Sequence, residues 1–296
     1  MRALGLVLAA GSIGVAAPAI ADDDTVILEP ASPWHVSYND GLCRLGRVFD
    51  LDGQEHLLVI DQRWPSEEFD ITAAGPSLSE LKTNSDTQLI FADDTQLRSN
   101  APALRQQIDK WGAAIVLLNA RIRSPSAASQ ADEKLTEIRA TGGRLDTDAA
   151  RQTRYIAIEQ ENMRVLFATG SLADPFSVLN DCTSHVLSTW GLDAEKHKTA
   201  TSLPRLENAK ATSSRITEYY PSSALRNEEE GRVELNVIVE IDGTVSECLI
   251  LASSGSEALD QAACSGFRRA RFSPASDADG EPMRSYLSTA ITFRLN

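Results

Sequence analysis

The chain has 296 residues, 42% hydrophobic and 24% charged, with 17 glycines and 12 prolines, a globular composition long enough to bury one large core or two modest ones. Its 28 basic residues stand against 42 acidic ones, a formal charge of −14. So acidic a surface repels phosphate backbones and anionic headgroups, which sets nucleic acid aside as a partner.

The first segment, "MRALGLVLAAGSIGVAAPAIADDD", puts Arg2 before an apolar run from Ala3 to Val15, then the small-residue triplet Ala19-Ile20-Ala21 before three aspartates. This pattern predicts a secretory signal peptide over residues 1–21, cut after Ala21. The apolar run is shorter than the ~20 residues a spanning helix needs. The expectation is therefore a periplasmic protein with no stable membrane insertion after cleavage. Loss of Arg2 alone leaves 27 basic residues against 42 acidic ones, or −15.

From Trp34 to about Thr169 short apolar runs alternate with turn signals. Cys43 to Leu51, the dipeptide Asp52-Gly53, and Glu55 to Gln62 predict a hairpin. "EFDITAAG" and "TQLIFADD" continue the pattern, while Lys110 to Ile122 reads equally as a buried strand or part of a helix. Tyr155 to Glu159 and Met163 to Thr169 read as a second hairpin. Leu172, Phe176, Leu179, Cys182, Leu187 and Trp190 then fall near one helical stripe, with Pro175 in the first turn and Gly191 at the stop. Residues 22–192 are thus expected to form a mostly antiparallel β domain with that helix packed on it, its activity unknown.

Residues 193–214 turn polar and predict a linker in which only Leu203 and Leu206 offer anchors. In residues 215–296, Val233, Leu235, Val237 and Val239 share a face, Asp242-Gly243 turns the chain, and Val245 to Ser253 returns as a second strand. Ser254 and Glu257 stand at capping-box spacing before a helix lined by Leu259, Ala263 and Phe267. Arg268, Arg269 and Arg271 fall in its last turn, ahead of Pro274. "SYLSTAITFRL" alternates again. The order is strand, strand, helix, strand, and the chain as a whole is α+β.

An even number of cysteines in an exported chain points to disulfides, and four of them allow three pairings. Cys248 shares a strand face with Ile250, and Cys264 lies beside Ala263 one turn before Phe267, so the two meet if that face packs under the helix. Cys43 and Cys182 are then left to pair. No two cysteines stand at CxxC spacing and no histidine pair accompanies them, which argues against zinc. His35, His56, His185 and His197 stand apart from any nucleophile motif, and the sequence holds no GxSxG, HExxH or glycine-rich phosphate loop. The expectation is a non-enzymatic protein with no cofactor, catalytic residue or metal. The alternative is an exported enzyme or ligand-binding protein acting through its N-terminal domain, with Cys43 as nucleophile.

Tyr220-Pro221 followed by Ala224, Glu230-Gly231-Arg232-Val233, Asp242-Gly243, Ser253-Ser254-Gly255, Leu259-Asp260, Phe272-Ser273-Pro274-Ala275 and the closing "ITFRL" occur in the order of a known domain. Over about residues 219–296 the sequence resembles the C-terminal domain of the TonB family, the energy transducers of Gram-negative bacteria. The resemblance implies a partner: a short extended peptide, the TonB box, of an outer-membrane TonB-dependent receptor. The chain departs from that family in its cleavable-looking leader, its folded N-terminal region and a linker with a single proline, Pro204, where a transducer has a membrane helix and a long proline-rich spacer. The resemblance thus implies peptide recognition ahead of energy transduction.

The last strand, Tyr286 to Leu295, is expected at an edge of a three-stranded sheet, where an extended peptide can add as one more strand. Leu287, Ile291 and Phe293 would hold it to the core, while Tyr286, Ser288, Ala290, Thr292 and Arg294 present side chains near the ligand. The same edge could instead pair with a second copy to form a homodimer.

Overall fold

The computed structural model describes residues 25–39, 41–82, 87–92, 97–100, 103–122, 143–160, 163–218 and 220–295. The leader expected over residues 1–21 and its cut lie outside them. Among the described residues no helix is long and apolar enough to cross a membrane.

Strands dominate the first half because β-branched and aromatic residues recur between turn formers. They are β1 (Thr25–Pro30), β2 (His35–Asn39), β3 (Leu42–Leu51), β4 (Gln54–Gln62), β5 (Glu68–Ala74), β6 (Gln88–Ala92), β7 (Leu97–Asn100), β8 (Ala103–Ile108), β9 (Gly112–Arg121), β10 (Tyr155–Gln160) and β11 (Met163–Phe167). Two helices accompany them, α1 (Thr147–Gln152) and α2 (Ala173–Thr189). Neighbouring strands run β7-β6-β10-β11-β1-β3-β4-β5-β9-β8, with β2 paired onto β3. β1 joins the two halves of this sheet, pairing parallel with β11 through Thr25–Leu28 and antiparallel with β3 through Glu29 and Pro30.

Asp52 and Gly53 both take positive φ, 52° and 82°, as a two-residue hairpin turn between β3 and β4 requires. The ambiguous Lys110–Ile122 segment is a strand. β9 lies between β5 and β8, burying Ala114, Ile115, Leu117 and Ala120. α2 lays Phe176, Leu179 and Val186 into the same core as Leu45, Phe49 and Ile60. A disulfide from Cys43 on β3 to Cys182 on α2, Cα–Cα 6.0 Å, fixes helix to strand across 139 positions.

Residues 193–214, expected as a polar linker, are structured as α3 (Ala194–Lys198), β12 (Arg205–Leu206) and the start of α4 (Ala209–Glu218). Their polar side chains close backbone bonds, which is why composition misleads here. Asp193 caps α3 by accepting from the Glu195 and Lys196 N–H groups at 3.0 and 3.1 Å. Asn208 accepts from the Arg271 N–H at 2.9 Å and donates to the Arg269 carbonyl at 3.1 Å.

The remaining elements are α5 (Ser222–Arg226), β13 (Gly231–Val239), β14 (Val245–Ala252), α6 (Glu257–Phe267), the two-residue strands β15 (Phe272–Ser273), β16 (Ala275–Ser276) and β17 (Pro282–Met283), and β18 (Ser285–Phe293). The main sheet is ordered β14-β13-β18, while β12 pairs with β15 and β16 with β17. Val233, Leu235, Val237, Leu287 and Phe293 pack against Leu259, Ala263 and Phe267 of α6. Cys248 on β14 is bonded to Cys264 on α6, Cα–Cα 5.7 Å.

Two local expectations need correction. Ser256, not Ser254, caps α6, accepting from the Leu259 N–H at 3.3 Å. The hydroxyls of Ser253 and Ser254 turn instead to the Asp260 carboxylate, at 2.6 and 2.8 Å, and lock the entry loop. α6 also ends at Phe267, so Arg268 is its C-cap and Arg269 and Arg271 lie beyond the helix.

A third cluster joins the two parts of the molecule. Leu187 and Leu192 meet Ile238 and Tyr286, with Trp64, Trp190 and Leu249 packed around them.

Candidate functional site

β18 ends the sheet order β14-β13-β18, and on one side all of its residues pair with β13, from Gly231 opposite Phe293 to Val239 opposite Ser285. Among the described residues no strand pairs with its other side.

Two hydrogen bonds fix which backbone groups look outward. The Leu295 N–H reaches toward β13 and bonds Glu230 Oε1 at 2.5 Å. At the other end of the ladder the Glu240 N–H turns to the Thr244 carbonyl at 2.8 Å, which points the Val239 N–H the opposite way, at β18. Strand geometry has a period of two, so the odd-numbered residues of β18 bond to β13, while Ser288, Ala290 and Thr292 direct their N–H and C=O groups to the open side.

The side chains sort differently. Leu287 and Phe293 are buried toward α6, with Ile291 packed beside them. On the opposite face Thr292 is exposed and Ala290 half-buried, and Arg294 is exposed just past the strand. Tyr286 and Ser288, expected to stand near a ligand, are only 0% and 3% exposed. A three-stranded sheet covered by one helix leaves its second face bare, and here the N-terminal β-rich part closes that face.

Tyr286 carries much of this closure. Its hydroxyl donates to the Pro65 carbonyl at 3.1 Å, and its ring lies 5.4 Å from that of Trp190 and 5.9 Å from that of His197. The Ser288 hydroxyl donates to Asn236 on β13. Arg284 bonds the Gly191 carbonyl at 2.9 Å together with the Glu240 and Glu247 carboxylates at 2.8 and 2.9 Å. Arg63, in the turn after β4, approaches Glu234 at 4.0 Å. Near it burial pushes the Asp70 carboxyl up from its ordinary value, partly opposed by the Asn119 N–H at 2.8 Å.

Two histidines are buried and engaged at both ring nitrogens. His56 lies between the Gln54 carbonyl at 3.0 Å and the Ser77 hydroxyl at 2.9 Å, and His197 between the Asp193 carbonyl at 2.6 Å and the Ser285 hydroxyl at 3.0 Å. Burial lowers the pKa of both. His35 and His185 are exposed. Cys43 is held in its disulfide, so it is not the free thiol a nucleophile requires. Sequence reasoning missed the place of His197 because the polar run around it gives no sign of burial. The one available signal was Asp193 at N-cap spacing to the residues after it.

Residues 217–295 match the model of the Gram-negative bacterial TonB protein C-terminal family. The C-terminal part of this chain is a TonB C-terminal domain. It is similar to Protein tonB2 of Pseudomonas aeruginosa, 43% identical over 77 residues, a stretch covering 26% of this chain and 28% of that protein. The family match takes in the β14-β13-β18 sheet, α5 and α6, and begins only at the end of α4. The TonB domain therefore presents β18 as a sheet edge beside a β-rich part that the match does not reach.

Proposed function

We propose that this chain is a TonB-family envelope protein whose TonB domain captures an extended peptide of an outer-membrane receptor by adding it as a strand to β18. The observation that carries the reading is the outward backbone row of Ser288, Ala290 and Thr292 on a strand that ends its sheet. Such a row recognises an extended chain through main-chain bonds, and neighbouring side chains supply the selectivity. Here these are Ile291 on one face and Thr292 on the other, with Arg294 beyond. Two disulfides suit an oxidising compartment, and the periplasm is the proposed location. The β-rich part then serves as a non-enzymatic folded base in place of a spacer.

The test is a titration of a synthetic TonB-box peptide against the full mature chain and its Ala290→Pro variant. Proline there deletes an outward donor and leaves the β13 ladder intact. Binding should weaken by about tenfold or more. Equal affinity in a variant with unchanged circular dichroism would remove β18 as the docking edge. Concentration-dependent dimerisation that competes with the peptide would assign the edge to a second copy of the chain.

A further inference from the structure

Ser285 and Tyr286 are consecutive residues of a strand, so their side chains leave it on opposite faces. His197 touches both. Its Nε2 lies 3.0 Å from the Ser285 hydroxyl, and its ring is 5.9 Å from the Tyr286 ring, tilted by 33°. β13 closes one side of β18 along its whole length. A single imidazole that reaches both faces therefore passes round the strand at its start, clear of β13. α3 is pinned in that position. The Asp193 carbonyl meets His197 Nδ1 at 2.6 Å, Lys196 Nζ pairs with the Asp277 carboxylate at 2.9 Å, and beyond the helix the Thr201 N–H donates to the Ser276 carbonyl at 2.9 Å.

We propose that α3, through His197, is a stop on the docking edge: it covers β18 at Ser285 and Tyr286 and confines an added peptide strand to Ser288–Phe293. This rests on the reading of β18 as the docking edge. A strand over those positions spans ~20 Å, about six extended residues. The peptide end nearest α3 meets the imidazole and has to turn out of the sheet plane. The partner that fits is a short extended segment with a small or turn-forming residue at that end, and the stop fixes its register where backbone bonds alone would let it slide.

The experiment is hydrogen–deuterium exchange, read by segment, on the full mature chain, on His197→Ala and on Lys196→Ala, which loosens α3 by removing only a half-exposed side chain. Without peptide, the segment from Arg284 to Leu287 should exchange about fivefold faster or more in both variants, with β13 unchanged. Equal rates would show that α3 does not cover the edge. With a synthetic TonB-box peptide, protection in the wild type should run from Ser288 to Phe293 and extend to Tyr286 in the variants. Wild-type protection reaching Tyr286, whose N–H faces the open side, would overturn the stop. Protection of β14 with none on β18 in all three chains would overturn the docking reading instead, and the peptide-free rates would still decide whether α3 covers the strand.

Discussion

The Tyr286 hydroxyl donates to the Pro65 carbonyl at 3.1 Å, joining the edge strand of the TonB domain to the turn after β4 across 221 positions of sequence. Around that bond Leu187, Trp190 and Leu192 meet Ile238 and Leu249, so the sheet has a covered face on each side. The tyrosine serves two purposes at once. It seals the seam between the two parts and anchors the start of a strand whose outer side no described strand pairs.

Tyr286→Phe keeps the ring packing and strands the Pro65 carbonyl without its donor. The expected cost is about 1–2 kcal/mol of stability, read as a lower midpoint in urea unfolding with an unchanged slope. An unshifted midpoint would mean that the bond is not made in solution.

Stability should depend on pH through His197. Burial lowers its pKa, with the Asp193 carbonyl and charge only partly offsetting the effect, and Arg144 and Lys198 line the same cleft. A folded pKa below the ordinary value of about 6.5 means that the unfolded chain binds the proton more readily. The stability His197 contributes is then fully present above about pH 6.5 and lost as the pH falls toward the depressed value. His56 has the same sign. Subtracting the pH profile of His197→Gln from that of the wild type isolates His197, and the difference should grow toward neutral pH. A flat difference between pH 5 and 7.5 would count against the burial of the ring.

The two disulfides close loops of very different length. In the chain-entropy picture the 139-residue separation of Cys43 and Cys182 is worth about 5 kcal/mol, and the 16-residue separation of Cys248 and Cys264 about 3 kcal/mol. Replacing Cys43 and Cys182 together by serine should therefore lower the unfolding midpoint of the β-rich part further than the paired change at Cys248 and Cys264 lowers that of the TonB domain. Tryptophan fluorescence can follow the first, since Trp34 and Trp190 pack against its core.

Gly243 is constrained by its surroundings as well as by its turn. At φ 76° it lies in the left-handed region, and a Cβ built there would stand 1.9 Å from the Phe272 carbonyl oxygen. The Phe272 N–H also bonds the Gly243 carbonyl at 2.9 Å. Gly243→Ala should destabilise the TonB domain by about 2 kcal/mol or more, because backbone must move to admit the methyl group. Thermal unfolding is the measurement, and a melting temperature equal to wild type would contradict the close approach.

Local patterns made much of this molecule legible. The Asp52-Gly53 and Asp242-Gly243 turns, the α2 stripe and the alternation of β13 and β18 are each carried by neighbours in sequence, and so are the faces that bring Cys248 to Cys264. The seam was not legible. Tyr286 and Ser288 alternate like solvent-facing residues, and only the tertiary arrangement places Trp190 and Pro65 against Tyr286 and buries Ser288 beside Asn236. Residues 193–214 failed for a related reason: Asp193 and Asn208 close backbone bonds with polar side chains, so the segment folds without the apolar spacing that marks a helix. The strand edge was legible as an element. Its start, where α3 covers Ser285 and Tyr286, was not.

The most direct measurement is residue-resolved amide exchange by NMR on the chain as a synthetic TonB-box peptide is added. A strand added to β18 bonds the outward amides and leaves the inward ones as they were. Protection should rise at Ser288, Ala290 and Thr292 and stay constant at Thr289 and Ile291, whose N–H groups already face β13. Uniform protection along β18, or new protection confined to β14, would contradict strand addition at this edge.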